Sequence, residues 1–150
     1  MIKRPTVTDE MIRSACDKVT QKYELGDPDA IPDRFDYNMP TDELVRRLNR
    51  ELFWDYGREL TEDFINDLDY INFDIDKMHN VEVEKWFKEN DIQPPYPSNE
   101  GVKTTEGVID GINEYGYAQY LVKPYDSKPE DNTRRIINFE DIVLLKDKDI

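Results

Sequence analysis

The residue types that carry out most covalent catalysis are scarce in this sequence. It contains one histidine, His79, and one cysteine, Cys16. The Gly-x-Ser-x-Gly motif of serine hydrolases is absent, and Cys16 falls on the apolar side of a predicted helix, between Ala15 and Val19. That setting is typical of a structural thiol rather than a nucleophile. We therefore expect that the protein is not an enzyme.

Residues 74–85 begin like a calcium-binding loop but do not complete one. Asp74 and Asp76 match the first and third positions, whereas His79 stands where glycine is required and Lys85 where the bidentate glutamate is required. The glycines of the chain form no phosphate-binding loop or dinucleotide motif. We expect no metal and no nucleotide or other cofactor.

A nuclease site with two carboxylates has one weak candidate. Such a site needs an acid on one strand and Asp-x-Lys on its neighbour, and Asp110, Asp126 and Lys128 follow that order. The segment Asp126-Ser127-Lys128-Pro129 is typical of a solvated turn, which is the better interpretation.

Carboxylates dominate the ionisable side chains. The chain has 34 acidic and 20 basic residues, a net charge of −14, and an isoelectric point near 4.4. Residues 59–91 alone hold eleven acidic residues and three lysines, a net charge of −8. On a helix this is a negative charge about every 6 Å, so a few neighbouring elements would approach the charge density of one face of DNA. Such a surface attracts basic proteins and disfavours direct binding of nucleic acid.

Aromatic residues are interleaved with these acids and could supply apolar anchors inside a charged rim. We predict a partner-binding surface that consists of eight acidic and two aromatic residues: Glu62, Asp63, Asp67, Asp69, Asp74, Asp76, Glu82, Glu84, Tyr70 and Phe73. The four aspartates among residues 67–76 are expected to govern the association rate. High net charge also keeps a protein soluble without any partner, so solubility alone remains the alternative.

These features favour a non-enzymatic inhibitor that imitates nucleic-acid phosphates. Its acidic helices would occupy the basic groove of a nucleic-acid-binding protein, such as a nuclease or a CRISPR effector. By analogy alone, the chain is similar in size, charge and lack of motifs to small phage and mobile-element inhibitors of host defence, including anti-CRISPR proteins. The alternatives are an immunity protein or antitoxin that neutralises a basic nuclease toxin, and a protein–protein adaptor that uses its C-terminal part.

Cysteine content and hydropathy indicate a cytoplasmic location. One cysteine excludes an internal disulfide, as expected in a reducing compartment. No apolar run approaches the roughly 18 residues of a membrane span, and the N-terminal sequence MIKRPTVTDE lacks the apolar stretch of a signal peptide. We expect no membrane binding, while the oligomeric state stays open. An aromatic content of 11% favours a folded chain over a disordered one.

The hydrophobic pattern predicts an α+β protein with an N-terminal helical part and a small C-terminal antiparallel barrel. Residues 1–91 are expected to form an acidic helical domain, residues 92–100 a proline-rich linker, and residues 101–150 the strands. Pro94, Pro95 and Pro97 support the boundary because they stop helices and favour extended backbone.

Local signals predict where the helices begin and end. The first helix is capped by Thr8 and ends at Gly26, and the second is capped by Thr41, with an apolar face that reaches Tyr56. Residues 26–40 are expected to be a loop pinned by Ile31, Phe35, Tyr37 and Met39. Thr61 opens a third helix.

Two later signals concern the end of the helical part. Residues 69–76 fit a helix or a strand, and we favour the helix. Asn80 is expected to cap the last helix, in which Val83, Trp86 and Phe87 form the apolar face.

The segments GVIDGINEYG, YAQYLVKPYD and RRIINFEDIVLL alternate in hydrophobicity as strands do. Together they resemble the strand pattern of SH3-like small barrels of the Tudor and KOW type. The resemblance covers about a third of the chain and implies a barrel closed by the late FEDIVLL segment, with no catalytic residue. Aromatic clefts on such barrels bind proline-rich or methylated ligands, which makes Tyr115, Tyr117, Tyr120 and Tyr125 a second candidate surface. Ordinary core residues are the alternative for these tyrosines.

Overall fold

The computed structural model describes residues 3–146, in which four helices precede a three-stranded antiparallel sheet. The predicted α+β class and the order of helices before strands are therefore confirmed. The chain divides into two compact units, Lys3–Val83 and the residues from Glu84 onward. The outer ends of the predicted domains, residues 1–2 and 147–150, lie outside the described residues.

Helix α1 spans Asp9–Lys22 and begins as the sequence predicts. The Thr8 side chain accepts a hydrogen bond from the Met11 backbone N–H at 3.2 Å, which satisfies one free donor of the first turn. The predicted end at Gly26 is wrong. The helix ends at Lys22 because the backbone turns left-handed at Glu24, where φ is 50°.

The segment between α1 and the next helix contains turns and no regular structure, as predicted from its prolines and aspartates. Ile31, Phe35 and Met39 are buried, and Tyr37 is half-buried. The prediction that these four side chains hold the loop against the core is confirmed, because the three buried ones belong to the core cluster and Tyr37 packs against it.

Helix α2 spans Thr41–Leu52 and differs from the prediction at both ends. The N-cap is Pro40, and Thr41 is already the first helical residue, so its side chain is free to bond elsewhere. The helix stops at Phe53, which adopts a left-handed conformation with φ of 59°. The predicted apolar face therefore ends at Leu52 and does not include Tyr56, which is exposed.

Helix α3 spans Glu62–Asp69, and helix α4 spans Ile71–Glu89. The predicted cap is confirmed, because the Thr61 side chain accepts a hydrogen bond from the Phe64 N–H. Residues 69–76 are helical apart from a break at Tyr70, so the helical alternative is correct. The predicted cap at Asn80 is wrong. Asn80 lies inside α4 and is exposed, a position where asparagine costs a helix only a fraction of a kcal/mol.

The core of the first unit is formed by α1, α2, α3, the first turns of α4 and the connecting loops. Fourteen buried residues make up this cluster, to which every helix of the unit contributes. Phe64 is a buried member of this cluster and makes an edge-on contact with Tyr23 at 4.8 Å between ring centroids. Such aromatic pairs add about 0.5–1.5 kcal/mol beyond the burial of their area.

The second unit contains strands β1 (Val108–Ile112), β2 (Gln119–Lys123) and β3 (Arg135–Asn138), followed by a 3-10 turn at Phe139–Asp141. The strands pair in the order β1-β2-β3, and the sheet is open. Gly107 is required just before β1, because its φ is 150° and a Cβ there would lie 2.2 Å from the Lys123 carbonyl oxygen.

Single bridges extend this sheet beyond its three strands. Lys103 pairs with Val108, and Thr104 pairs with Leu144. In the FEDIVLL segment, which the resemblance implies would close a barrel, residues 142–145 pair through the single bridge at Leu144.

The proline-rich segment is attached to the sheet through a buried tyrosine. The Tyr96 N–H donates to the Tyr120 hydroxyl oxygen at 2.8 Å, and that hydroxyl donates back to the Tyr96 carbonyl oxygen at 2.6 Å. Tyr120 has no exposed surface and its ring packs on Phe139 at 4.5 Å. Burial raises the pKa of the Tyr120 hydroxyl, which remains a proton donor at neutral pH.

Within residues 3–146, no helix is both long enough and apolar enough to cross a membrane.

Candidate protein-interaction surface

Nine of the ten predicted partner-binding residues lie in the first unit, on α3, at the break between α3 and α4, and on α4. Glu84 lies in the second unit. The nine residues do not form one uniform acidic face: their exposure differs, and three of the acids accept hydrogen bonds from other side chains of the fold.

The exposed acids of α3 share one side of that helix. Glu62, Asp63 and Asp69 are exposed, while Phe64 and Leu68 on the opposite side are buried in the core. The N-cap at Thr61 and the buried side chains fix the orientation of this acidic side. Within residues 3–146, no hydrogen bond or ion pair engages the carboxylates of Glu62 and Asp63.

Asp67 is part of the fold rather than a free surface charge. Its Oδ2 atom accepts hydrogen bonds from Lys22 Nζ at 2.8 Å and from the Tyr23 hydroxyl. The bond from Lys22, and then the bond from Tyr23, lower the pKa of the Asp67 carboxyl. The pKa of Tyr23 is raised by the same contact. This acid joins α3 to α1 and is the least available of the aspartates predicted to bind a partner.

Two further acids accept hydrogen bonds from neutral hydroxyl groups rather than from cations. Asp69 accepts a hydrogen bond from Thr41 Oγ1 at 2.6 Å, and Asp76 accepts one from the Tyr37 hydroxyl. The bond to Asp76 raises the pKa of Tyr37. These contacts join the loop before α2, and the start of α2, to the helices that carry the acids.

The two predicted aromatic anchors are exposed and lie side by side. Tyr70 is 60% exposed and Phe73 57% exposed, with their ring centroids 6.3 Å apart in an edge-on arrangement. The Lys77 ammonium lies 5.7 Å from the centre of the Phe73 ring. By contrast, Phe64 and Trp86, which also alternate with the acids, are buried.

The helix break that carries this pair is held by an asparagine clamp. Asn72 Oδ1 accepts from the Asn38 N–H at 2.9 Å, and Asn72 Nδ2 donates to the Met39 carbonyl oxygen at 3.1 Å. Ile71, next to this clamp, is fully buried. Tyr70 and Phe73 are therefore presented from a fixed backbone, which lowers the entropy lost when a partner binds them.

The acids of α4 point in different directions. Each helical residue turns about 100°, so Asp74 and Asp76 are about 200° apart and cannot line the same face. Asp76 turns toward Tyr37, and Asp74 is half-buried. Glu82 stands beside a groove of about 590 Å³ that is lined mainly by Pro5, Met78 and other apolar side chains. The prediction of a single acidic helical face does not hold for α4.

Glu84 bonds within the second unit. It pairs with Lys88 at 2.7 Å, one helical turn away. This bond and a hydrogen bond from Tyr117 lower the pKa of Glu84. Much of its charge is balanced by Lys88.

Sequence reasoning missed a second aromatic group in the loop after α2. Phe53 is 86% exposed, and Tyr56 is exposed as well. The loop is closed by the Glu59 carboxylate, which accepts from the Asp55 N–H at 3.0 Å, and this bond lowers the pKa of Glu59. The run Asp55-Tyr56-Gly57 is a turn signal that could have indicated the loop.

The tyrosines of the second unit do not form one aromatic cleft. Tyr120 is core, Tyr117 contacts the Phe87 ring at 5.4 Å, and the Tyr125 hydroxyl donates to the Thr104 carbonyl oxygen. Tyr115 alone is almost completely exposed, at 99%.

The residues considered for catalysis are buried, paired within the fold or located in a loop. Cys16 is fully buried, and burial raises its pKa to about 12, which removes nucleophilic character at neutral pH. Asp110 bonds to Arg134, and Asp126 and Lys128 lie in a loop. In the part of the chain that the structure describes, no three His, Cys, Asp or Glu side chains come together as metal ligands would.

Compared with protein-family models, curated proteins and solved structures, the chain has no significant match in any of the three comparisons.

Proposed function

We propose that this protein is a non-enzymatic inhibitor that occupies the basic groove of a nucleic-acid-binding protein by imitating nucleic acid. The observation that carries the proposal is the exposed Tyr70–Phe73 pair next to the acidic side of α3. The acids attract a basic surface, and the aromatic rings provide contact area that salt does not screen.

The internal bonds of the acids refine this proposal. Asp67 and Asp76 are bonded within the fold, while Glu62, Asp63 and Asp74 act directly on the partner. The partner belongs to a class with a positively charged nucleic-acid groove, such as a nuclease or a CRISPR effector, and the biological setting is phage or mobile-element anti-defence in the cytoplasm. An immunity protein against a nuclease toxin would use the same surface in the same way.

The second unit is proposed to be an SH3-like barrel. Support comes from the bridges of residues 103 and 104 to Val108 and Leu144, which continue the β1-β2-β3 order on the free side of β1. The 3-10 turn at Phe139–Asp141 precedes Leu144, as a turn before a closing strand would. A role as a protein–protein adaptor is the second candidate function, and the nearly complete exposure of Tyr115 favours it.

Two variants of equal charge test the proposed surface. The first replaces surface acids (Glu62→Gln, Asp63→Asn and Asp74→Asn), and the control replaces exposed acids elsewhere (Asp33→Asn, Glu51→Gln and Glu89→Gln). Each changes the net charge from −14 to −11. The immobilised chain is incubated with cell extract, and the retained proteins are eluted with a short DNA duplex.

We expect the wild type and the control variant to retain the same basic proteins, released by the duplex, and the surface variant to lose them. Equal retention by both variants would show that charge alone, without this surface, determines binding. Loss on Tyr115→Ala with no loss in the surface variant would support the adaptor instead.

A further inference from the structure

A cleft in the first unit separates α2 from α3 near the end of the acidic side of α3. It measures about 410 Å³. Val45 and Ile65 supply an apolar floor, and Tyr56 from the loop after α2 supplies an aromatic wall. The carboxylates of Asp42 and Asp69 stand at its rim. The cleft therefore combines apolar surface, an exposed aromatic ring and two negative charges within one open cavity.

The charges at this rim remain available to an incoming cation. Asp42 is paired with Arg46 at 3.2 Å, but both side chains are about two-thirds exposed, and ion pairs of this kind contribute little. Asp69 accepts one hydrogen bond from the Thr41 hydroxyl, through Oδ1. Because a hydroxyl is neutral, this bond does not balance the carboxylate's charge, and Oδ2 can still accept a hydrogen bond from a partner. Ile65 and Tyr56 provide contact surface in addition to these two carboxylates.

We propose that this cleft binds an arginine side chain of a basic protein partner. The methylene stem lies on Val45 and Ile65, the guanidinium stacks on the Tyr56 ring, and its N–H groups donate to Asp42 and Asp69. A guanidinium is favoured over an ammonium because it is planar, weakly hydrated and able to stack and bond at the same time. The partner's arginine is one that would otherwise bind a phosphate, so this inference rests on the proposed function and deepens it.

The test uses the full chain and three small probes, N-acetyl-arginine amide, N-acetyl-lysine amide and N-acetyl-citrulline amide. Citrulline keeps the shape of the arginine side chain and removes its charge. Binding is followed by NMR through the amide signals of the whole chain. We expect the arginine probe to shift the signals of Val45, Tyr56 and Ile65 in a saturable way, and the citrulline probe to bind at least about tenfold more weakly.

Tyr56→Ala and Asp42→Asn should each weaken the arginine probe severalfold, whereas Phe53→Ala, an exposed aromatic residue that does not line the cleft, should leave its affinity unchanged. Equal affinity for the arginine and citrulline probes, or shifts spread over all acidic segments, would overturn the proposal. If the arginine probe does not bind and the surface variant still loses its DNA-binding partners, this inference fails while the proposed function stands. If the probe binds and the surface variant retains those partners, the proposed function fails and the cleft remains an arginine site.

Discussion

Lys22 Nζ lies 2.8 Å from Asp67 Oδ2, and this contact joins α1 to α3 in the first unit. The Tyr23 hydroxyl donates to the same carboxylate oxygen. One of the acids expected to face a partner is therefore occupied within the fold. A variant that replaces all four aspartates among residues 67–76 with lysine would break four internal hydrogen bonds as well as change the surface, so it would not test binding alone.

The Asp67 contact makes stability depend on pH. Because the pKa of Asp67 is lower in the folded chain, the contact contributes stability above the ordinary aspartate pKa of about 3.9 and loses it as the pH falls through the folded value. We expect Asp67→Asn to be modestly less stable than the wild type near pH 7, since solvent screens the exposed Lys22 end. Urea unfolding should show that the free energies of unfolding of the wild type and of Asp67→Asn become equal below about pH 4. A difference that grows on acidification would contradict this account.

Tyr120→Phe should release the proline-rich segment from the sheet. The change removes the hydroxyl that bonds both backbone polar groups of Tyr96, and we expect a loss of about 1–3 kcal/mol in the free energy of unfolding. Hydrogen exchange should become faster at Tyr96, while exchange in the first unit stays unchanged. Tyr125→Phe, which removes a hydroxyl bond at a more exposed site, is the matched control and should have a smaller effect.

Cys16 should not react with thiol reagents in the folded protein. A buried thiol with a pKa of about 12 is almost entirely protonated at pH 8, and reagents cannot reach it. Iodoacetamide labelling followed by mass spectrometry should detect modification only in denaturant. Rapid labelling of the native chain would mean that α1 opens readily.

The aromatic pair should carry the part of the affinity that salt does not remove. Tyr70→Ala and Phe73→Ala are each expected to weaken a partner complex by about 1 kcal/mol or more, with the same loss at low and high salt. Neutralising Glu62 and Asp63 should instead lower the association rate, and mostly at low salt, since exposed charges are screened over about 10 Å at 0.1 M. Surface plasmon resonance at several salt concentrations separates the two effects. Phe53→Ala, an exposed aromatic outside the pair, serves as the control.

The features that could be predicted from the sequence are local ones. The caps at Thr8 and Thr61 depend on a side chain and a backbone N–H three residues away, so their residue types were sufficient. Tyr70 and Phe73 belong to the predicted surface and are exposed, but no pattern in the sequence separates them from the buried Phe64.

The features that could not be predicted depend on tertiary contacts. Lys22 and Asp67 are 45 positions apart, and no pattern in the sequence pairs them. Glu24 and Phe53 rarely adopt the left-handed conformation that they have here, so the helix end predicted at Gly26 and the apolar face predicted to reach Tyr56 were wrong. The arginine cleft likewise needs α2, α3 and the loop of Tyr56 to meet.

The measurement that tests nucleic-acid mimicry most directly is competition for one partner. A labelled DNA duplex is bound to a protein retained by the chain, and its fluorescence anisotropy is followed as the chain is added. Mimicry predicts that the wild type and the Asp33, Glu51 and Glu89 control displace the duplex completely, and that the Glu62, Asp63 and Asp74 variant needs at least about tenfold more protein. If the chain binds this partner while the duplex remains bound, the two do not share a groove, and the proposed function is wrong.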